Sequence, residues 1–371
     1  MRRCFFVKKI AVFFGGKSLE HDVSVITGVL TLNSLNKEKY DPVPVFVDKD
    51  GVFYTGDSLF DVSFFKNKDM AKLSRVVFLQ GDDRLYKLKK DKIKPLFPLA
   101  AAINCMHGEN GEDGTLAGLI KTLSVPFVSP SLFCSSAMID KGFTKTVLKG
   151  LGVPYIKGAV AETVADGVRI AEKMGFPLIF KPCTAGSSIG IEKAEKADET
   201  ESAIGRAFAY CGRVLIEPFI ENALEINCAA FRGKDGEIFV SECEKPISSG
   251  DFLSFADKYV SGGREFPAKI DGKLSDEIKR LTERIYLGTD AFGVIRVDYI
   301  IKNGKPFVNE VNTVPGSLSY YLFCKDAAEF SEMLTEMITG AEQKFSKEST
   351  EIKSFDSGVL DSFGSKGAKR L

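Results

Sequence analysis

Along its first third the chain alternates two hydrophobic patterns. Ile10–Phe14 is a continuous apolar run ending in Gly15-Gly16, and Leu99–Met106 is a nearly continuous one, interrupted at Asn104 and ending in HGENGEDG. Apolar runs of that kind mark strands covered on both faces, as in parallel sheets. After each run the apolar spacing changes to three and four. Val23, Ile26 and Leu30 predict one helix, and Leu116, Leu119, Ile120 and Leu123 predict another. Pro44–Val47 and Val52–Tyr54 flank an Asp48–Gly51 turn, and Val125–Ser129 reads as a further strand. Strand, glycine turn, helix, strand predicts an α/β doubly wound sheet over residues 1–130, with a boundary at Ser129-Pro130-Ser131.

Residues 131–213 form a second expected unit: a helix over Lys141–Lys149, an extended Leu178–Lys181, a loop Thr184–Gly190 and a helix over Thr200–Tyr210. Val214–Glu217 opens a third, 214–345. After about Gly340 the periodicity fades, so residues 346–371 are expected to be a peripheral or mobile tail.

The third unit holds the most informative stretch, VIRVDYIIKNGKPFVNEVNTVPG (294–316), which reads as two strands joined by a Lys302-Asn303-Gly304 turn. Residues two apart on a strand share a face, so Arg296 goes with Asp298 and Glu310 with Asn312. The flanking residues are strongly apolar, and carboxylates in a mostly buried hairpin need partners. Three hard oxygen ligands beside a cation suit Mg²⁺ holding nucleotide phosphates. A regular two-residue Asn303-Gly304 loop would put Asp298 and Glu310 on opposite faces. Sharing a metal therefore predicts an odd-length loop or a bulge, with Gly304 left-handed.

Composition narrows the class without naming the chemistry. The 371 residues carry 50 basic and 50 acidic side chains and are 44% hydrophobic, so nothing favours nucleic acid or an anionic membrane surface. The eight cysteines are scattered with no C-x-x-C pair, and there are only two histidines. Neither a zinc site nor a disulfide framework is indicated, and a reducing cytoplasm is the default. Arg2 and Arg3 before an apolar run imitate a signal peptide, but Lys8 and Lys9 interrupt the run and no small-x-small cleavage site follows. No run reaches the length of a membrane span.

Lys181 at a strand end followed by the small-residue loop 184–190 can bring backbone N–H groups and a positive charge to phosphates, although glycine-serine loops are commonly only turns. Gly16-Lys17-Ser18 is not a Walker A loop, because position 11 is Ala. Glu217-Pro218-Phe219-Ile220 leaves an apolar strand and could meet an adenine edge and a ribose, or be an ordinary strand exit. Lys258 and Tyr259 lie in the long stretch 247–263, which has the makings of a lid. Glu20 and His107 follow glycine turns at strand carboxyl ends, where open α/β sheets bind ligands.

Taken in order, GGKSLEHDVS (15–24), HGENGEDGTLAG (107–118), FPLIFKPCTAGSSIG (176–190), IEPFIENALE (216–225), ADKY (256–259), IRVDY (295–299) and NEVNTVPG (309–316) resemble the D-alanine–D-alanine ligases of the ATP-grasp superfamily. The resemblance spans about residues 8 to 340. It implies an N-terminal doubly wound domain, a central ATP-grasp domain and a C-terminal one. ATP would sit between the last two, with two Mg²⁺ ions for which Mn²⁺ can substitute. Lys141, Lys181 and Ser188 would face phosphates, Glu217, Phe219 and Ile220 the adenine, and Glu225 the ribose. Asp298, Glu310 and Asn312 would hold the metals. Glu20, Ser187 and Tyr259 match the family's triad around the first D-alanine, with His107 near its carboxylate. Arg296 and the Gly316 amide would stabilise the oxyanion, and Lys258 would sit on the transferred phosphate. The implied reaction is D-Ala-D-Ala synthesis for peptidoglycan precursors, with a homodimer as the family's habit.

Just past Gly316 the chain departs from the common pattern. Where many members carry Ser-Leu against the second substrate's carboxylate, it has Tyr321-Leu322. D-Ala-D-Ser synthesis, or another ATP-grasp carboxylate–amine ligation, is the alternative.

Overall fold

The computed structural model describes residues 7–67, 69–247, 263–363, 365 and 367. In its first sheet the buried Ile10–Phe14 run lies within β1 (Lys8–Gly15). β1 pairs in parallel with β2 (Tyr40–Val47) on one side and, past β3 to β6, with β7 (Ala101–Asn104) on the other. β3 (Phe53–Thr55), β4 (Ser74–Phe78), β5 (Arg84–Lys89) and β6 (Lys92–Pro98) extend the β2 edge antiparallel, while β8 (Phe127–Val128) adds to β7 in parallel. The doubly wound expectation thus describes β2-β1-β7-β8. The antiparallel wing β4 to β6 had no counterpart in the sequence reading.

The helix after β1 runs His21–Ser34, and its burial differs from the expected single stripe. Ile26 is 49% exposed, whereas Ser24, Thr27 and Thr31 are fully buried. The reason is packing on two sides, against β1 and against the 3₁₀ turn Gly316–Leu322.

In the second sheet β9 (Ala159–Ala161), β10 (Leu178–Pro182), β11 (Glu192–Ala194) and β12 (Val214–Pro218) run in the order β11-β10-β12-β9, all antiparallel. Leu178, Phe180, Val214 and Ile216 pack with Ala203, Ile204 and Ala207 of the helix Thr200–Phe208. Strand alternation turns Lys181 and Glu217 to the opposite face. Val214–Glu217, expected to open the third unit, hydrogen-bonds inside this sheet instead. An apolar run records that a strand is buried, not which sheet it joins.

The third sheet has the order β14-β13-β17-β18, built from β13 (Leu224–Arg232), β14 (Ile238–Val240), β17 (Val294–Lys302) and β18 (Lys305–Asn312). β15 (Lys245–Ile247) and β16 (Gly263–Glu265) form a separate ladder. One face of the third sheet buries Ile226, Cys228, Ile295, Val297 and Tyr299 under the helix Gly272–Gly288. The other carries Asn227, Arg296, Asp298, Glu310 and Asn312. The last long helix, Ala327–Ser349, continues beyond Gly340 without a break. The loss of pattern there reflects a shift from buried Ile338 and Ala341 to an exposed end, not the end of the helix. Phe292, Val294, Phe330 and Met337 share one core with Ile10, Val12 and Phe14, which ties the third unit to the first.

Candidate active site

The β17–β18 hairpin closes with a two-residue loop, Asn303 (φ 52°) and Gly304 (φ 71°), both left-handed. That loop alone would separate Asp298 from Glu310. A bulge between Val308 and Glu310 restores the match, so Asp298 faces Glu310 and Arg296 faces Asn312. The irregularity demanded by a shared metal is therefore present, on the strand rather than in the loop. Arg296 grips Asp298 with two bonds, Nε to Oδ1 at 2.7 Å and a terminal nitrogen to Oδ2 at 2.8 Å. Asn312 Nδ2 donates to Asp298 Oδ2 at 3.1 Å.

The bulged residue, Asn309, was not singled out from sequence. Its Oδ1 accepts from Lys181 Nζ at 2.7 Å, bridging the second and third sheets. Lys181 also meets Glu217 Oε2 at 2.7 Å, and Lys145, likewise missed, bonds Glu217 Oε1. Burial alone would push the Glu217 carboxyl up, but the Lys181 and Lys145 charges hold it below the usual range. Lys141 Nζ donates to Ala185 O at 2.6 Å and lies 3.7 Å from Glu310.

In the loop 184–190, Ser187 and Ser188 are left-handed (φ 52° and 60°). The buried Ser187 hydroxyl donates to Glu20. A Cβ at Gly186 would stand 2.4 Å from Glu20 Oε2, so only glycine lets the loop come this close. Glu20 and Ser187, two of the three residues matched to the family's triad, thus meet.

His107 is buried, with Nε2 2.9 Å from the Thr27 hydroxyl. Glu112, from the same HGENGEDG turn, accepts from Gly108 N and Val314 N, each at 2.9 Å. Burial first, then the Glu20 charge, push the Glu112 carboxyl up. Burial pushes His107 down to about 4, so it is neutral near pH 7. Its folded value lies below its unfolded one, so His107 contributes stability that is complete above about 6.5 and lost as pH falls from there toward 4. Thermal unfolding over that window should show the slope in the wild type and a smaller slope in His107→Gln.

Glu20, His107, Ser187, Arg296, Asn312, Gly316 and Tyr321 all line one cavity of about 340 Å³. Glu244, Asn227 and Arg264 join them, with the Arg264 guanidinium 4.2 Å from the Tyr321 ring centre. Leu322 does not line it; its side chain is buried. Phe219, Ile220 and Glu225 are half-buried, and Lys193 Nζ lies 4.0 Å from the Phe219 ring centre. Lys258 and Tyr259 fall outside the described residues. No group of three or more His, Cys, Asp and Glu poised for a metal occurs among the described residues. The carboxylates of Asp298 and Glu310 with the Asn312 amide nonetheless form an all-oxygen set on one face, which fits a hard divalent cation.

The D-alanine–D-alanine ligase from Coxiella burnetii has the same fold, with a TM-score of 0.80 at 23% identity, covering 92% of this chain and 96% of its own. The three-sheet plan, with Lys181 and Lys141 reaching Asn309 and Glu310 of the third sheet, is that of the ATP-grasp fold. Family models described as the D-ala D-ala ligase N-terminus and C-terminus match residues 9–130 and 154–339. A D-alanine–D-alanine ligase from Thermosipho melanesiensis is 34% identical over 364 residues, 95% of this chain and 98% of its own length. The chain belongs to the D-alanine–D-alanine ligase family and is an ATP-dependent ligase. The VanG D-Ala:D-Ser ligase from Enterococcus faecalis is also similar, 27% identical with a TM-score of 0.73 over 92% of this chain and 98% of that one.

Proposed function

We propose that this enzyme joins two D-alanines through a D-alanyl phosphate, giving D-Ala-D-Ala, ADP and phosphate for peptidoglycan precursors in the cytoplasm. The observation that carries this reading is the bulged hairpin. It puts Arg296, Asp298, Glu310 and Asn312 on one face opposite Lys181, beside the cavity lined by Glu20, Ser187 and His107.

In this reading Lys141 and Lys181 neutralise ATP phosphates, with Ser188 in the same loop. Phe219, Ile220 and the Glu217 strand flank the adenine, and Glu225 takes the ribose. Asp298, Glu310 and Asn312 would hold Mg²⁺, which when bound offsets phosphate charge and polarises the transferred group. Glu20, through Ser187, orients the amino group of the first D-alanine so that its carboxylate meets the γ-phosphoryl group. Tyr259 completes that set and Lys258 takes the moving phosphate. The amine of the second D-alanine then attacks the acyl phosphate. Arg296 and the Gly316 amide stabilise the tetrahedral oxyanion. Tyr321 borders the second amino acid, and His107, neutral and bonded to Thr27, shapes the wall rather than supplying a charge. The division into an N-terminal unit 1–130, a central unit and a C-terminal unit belongs to the same reading, with the boundary between the last two moved past Pro218 and the peripheral tail starting after Ser349, as does a homodimer.

No helix among the described residues is long and apolar enough to cross a membrane. The test is incubation with ATP, Mg²⁺ and D-alanine alone, then with D-serine or D-lactate added, with products identified by mass. D-Ala-D-Ala from D-alanine alone is the expected result. Turnover only with D-serine would overturn D-alanine as second substrate and identify the Tyr321 wall as the cause.

A further inference from the structure

Ser317, Leu318 and Ser319 have φ of 51°, 51° and 47° with ψ of 28°, 27° and 26°. Three successive non-glycine residues in the left-handed region are unfavourable for L-amino acids, and such backbone persists only where its surroundings over-determine it. The segment begins one residue after Gly316 and ends two before Tyr321, both of which line the cavity.

What holds it comes from the first unit. Ser317 N donates to Thr27 Oγ1 at 3.0 Å, across 290 residues of sequence. Three residues earlier, Val314 N donates to Glu112 Oε1 at 2.9 Å. Leu318 N closes the turn on Pro315 O at 2.8 Å. Thr27 is fully buried and its hydroxyl has one proton. Its oxygen accepts from Ser317 N, and the hydroxyl shares a second hydrogen bond with His107 Nε2, 2.9 Å away, as donor when that ring nitrogen carries no proton. A chain His107–Thr27–Ser317 therefore joins the HGENGEDG turn to the strained turn beside Gly316.

We propose that Thr27 is a positioning residue, whose hydroxyl, oriented by His107, pins the Ser317 amide and so aims the Gly316 N–H at the reacting carbonyl. This rests on the role given above to the Gly316 amide. A shift of about 1 Å in such a donor can cost about 100-fold in rate.

The experiment compares full-length wild type, Thr27→Val and Thr27→Ser, using as second substrate whichever D-amino acid the wild type accepts. Failure of the D-alanine assignment then appears in the wild type and stays separate from failure of this proposal. Thermal unfolding of each variant checks the fold. Thr27→Val keeps the shape and removes the hydroxyl. It should lower kcat for dipeptide formation by about 30-fold or more, with KM for ATP unchanged. Phosphate release should also exceed dipeptide formed, because a poorly held oxyanion leaves the acyl phosphate to water. Thr27→Ser should restore most of kcat and the one-to-one ratio. Wild-type kcat in Thr27→Val, or equal losses in Thr27→Val and Thr27→Ser, would overturn the proposal. So would a rise in KM for ATP matching the fall in kcat.

Discussion

Arg296→Met should lower kcat by about 10²- to 10³-fold, the loss typical of removing one donor to a developing oxyanion. The arginine and Asp298 side chains are 13% and 10% exposed, and two short bonds join them. Methionine fills much of the volume but leaves Asp298, among the described residues, only the Asn312 donor. Arg296→Lys separates the two contributions. Lysine keeps the charge but lacks the planar fork, so it should preserve stability better than rate. Steady-state kinetics against Mg²⁺ concentration would check this. A kcat within threefold of wild type in Arg296→Met would remove Arg296 from the chemical step.

Glu217→Gln should be the most destabilising single change in the cleft. The carboxylate is 1% exposed and lies between Lys145 and Lys181, themselves 9% and 7% exposed. Taking the negative charge away leaves two ammonium groups facing each other in a buried site. Breaking such an arrangement from one side costs about 3–5 kcal/mol. The double variant Lys145→Met/Glu217→Gln should recover a large part of that loss, since it removes one of the stranded charges. Thermal and urea unfolding of the three proteins would decide it. An unchanged transition in Glu217→Gln would mean that water, not the carboxylate, satisfies the lysines.

Much of the site was legible because its residues obey local rules. Alternation along 294–316 placed Arg296 with Asp298 and Glu310 with Asn312, and counting through Asn303-Gly304 showed that an irregularity was required. The structure meets the requirement with a bulge at Asn309 and a left-handed Gly304. The glycine-serine loop after Lys181 and the turns carrying Glu20 and His107 could be read as phosphate- and ligand-facing, because small residues at strand ends permit close backbone approach. The family resemblance added the roles.

Other features lay beyond any local rule. Lys145 sits on a helix of ordinary amphipathic spacing, and nothing near it announces a carboxylate 72 residues away. Thr27 reads as a polar interruption of an apolar helix until Gly316–Leu322 is packed against it. Val214–Pro218 is plainly a strand, yet only the ladder with β10 assigns it to the second sheet. By itself, then, the sequence determined the parallel strands of the first sheet, the β17–β18 hairpin and which oxygen ligands share a face, but neither the wing β4 to β6 nor the buried face of the first helix. Those properties follow from backbone period and burial within a few residues. The tertiary structure alone decided the partners of Glu217, the bridge from Asn309 to Lys181 and the clamp on the left-handed turn. Each joins side chains far apart in sequence, and their encounter depends on how whole sheets pack.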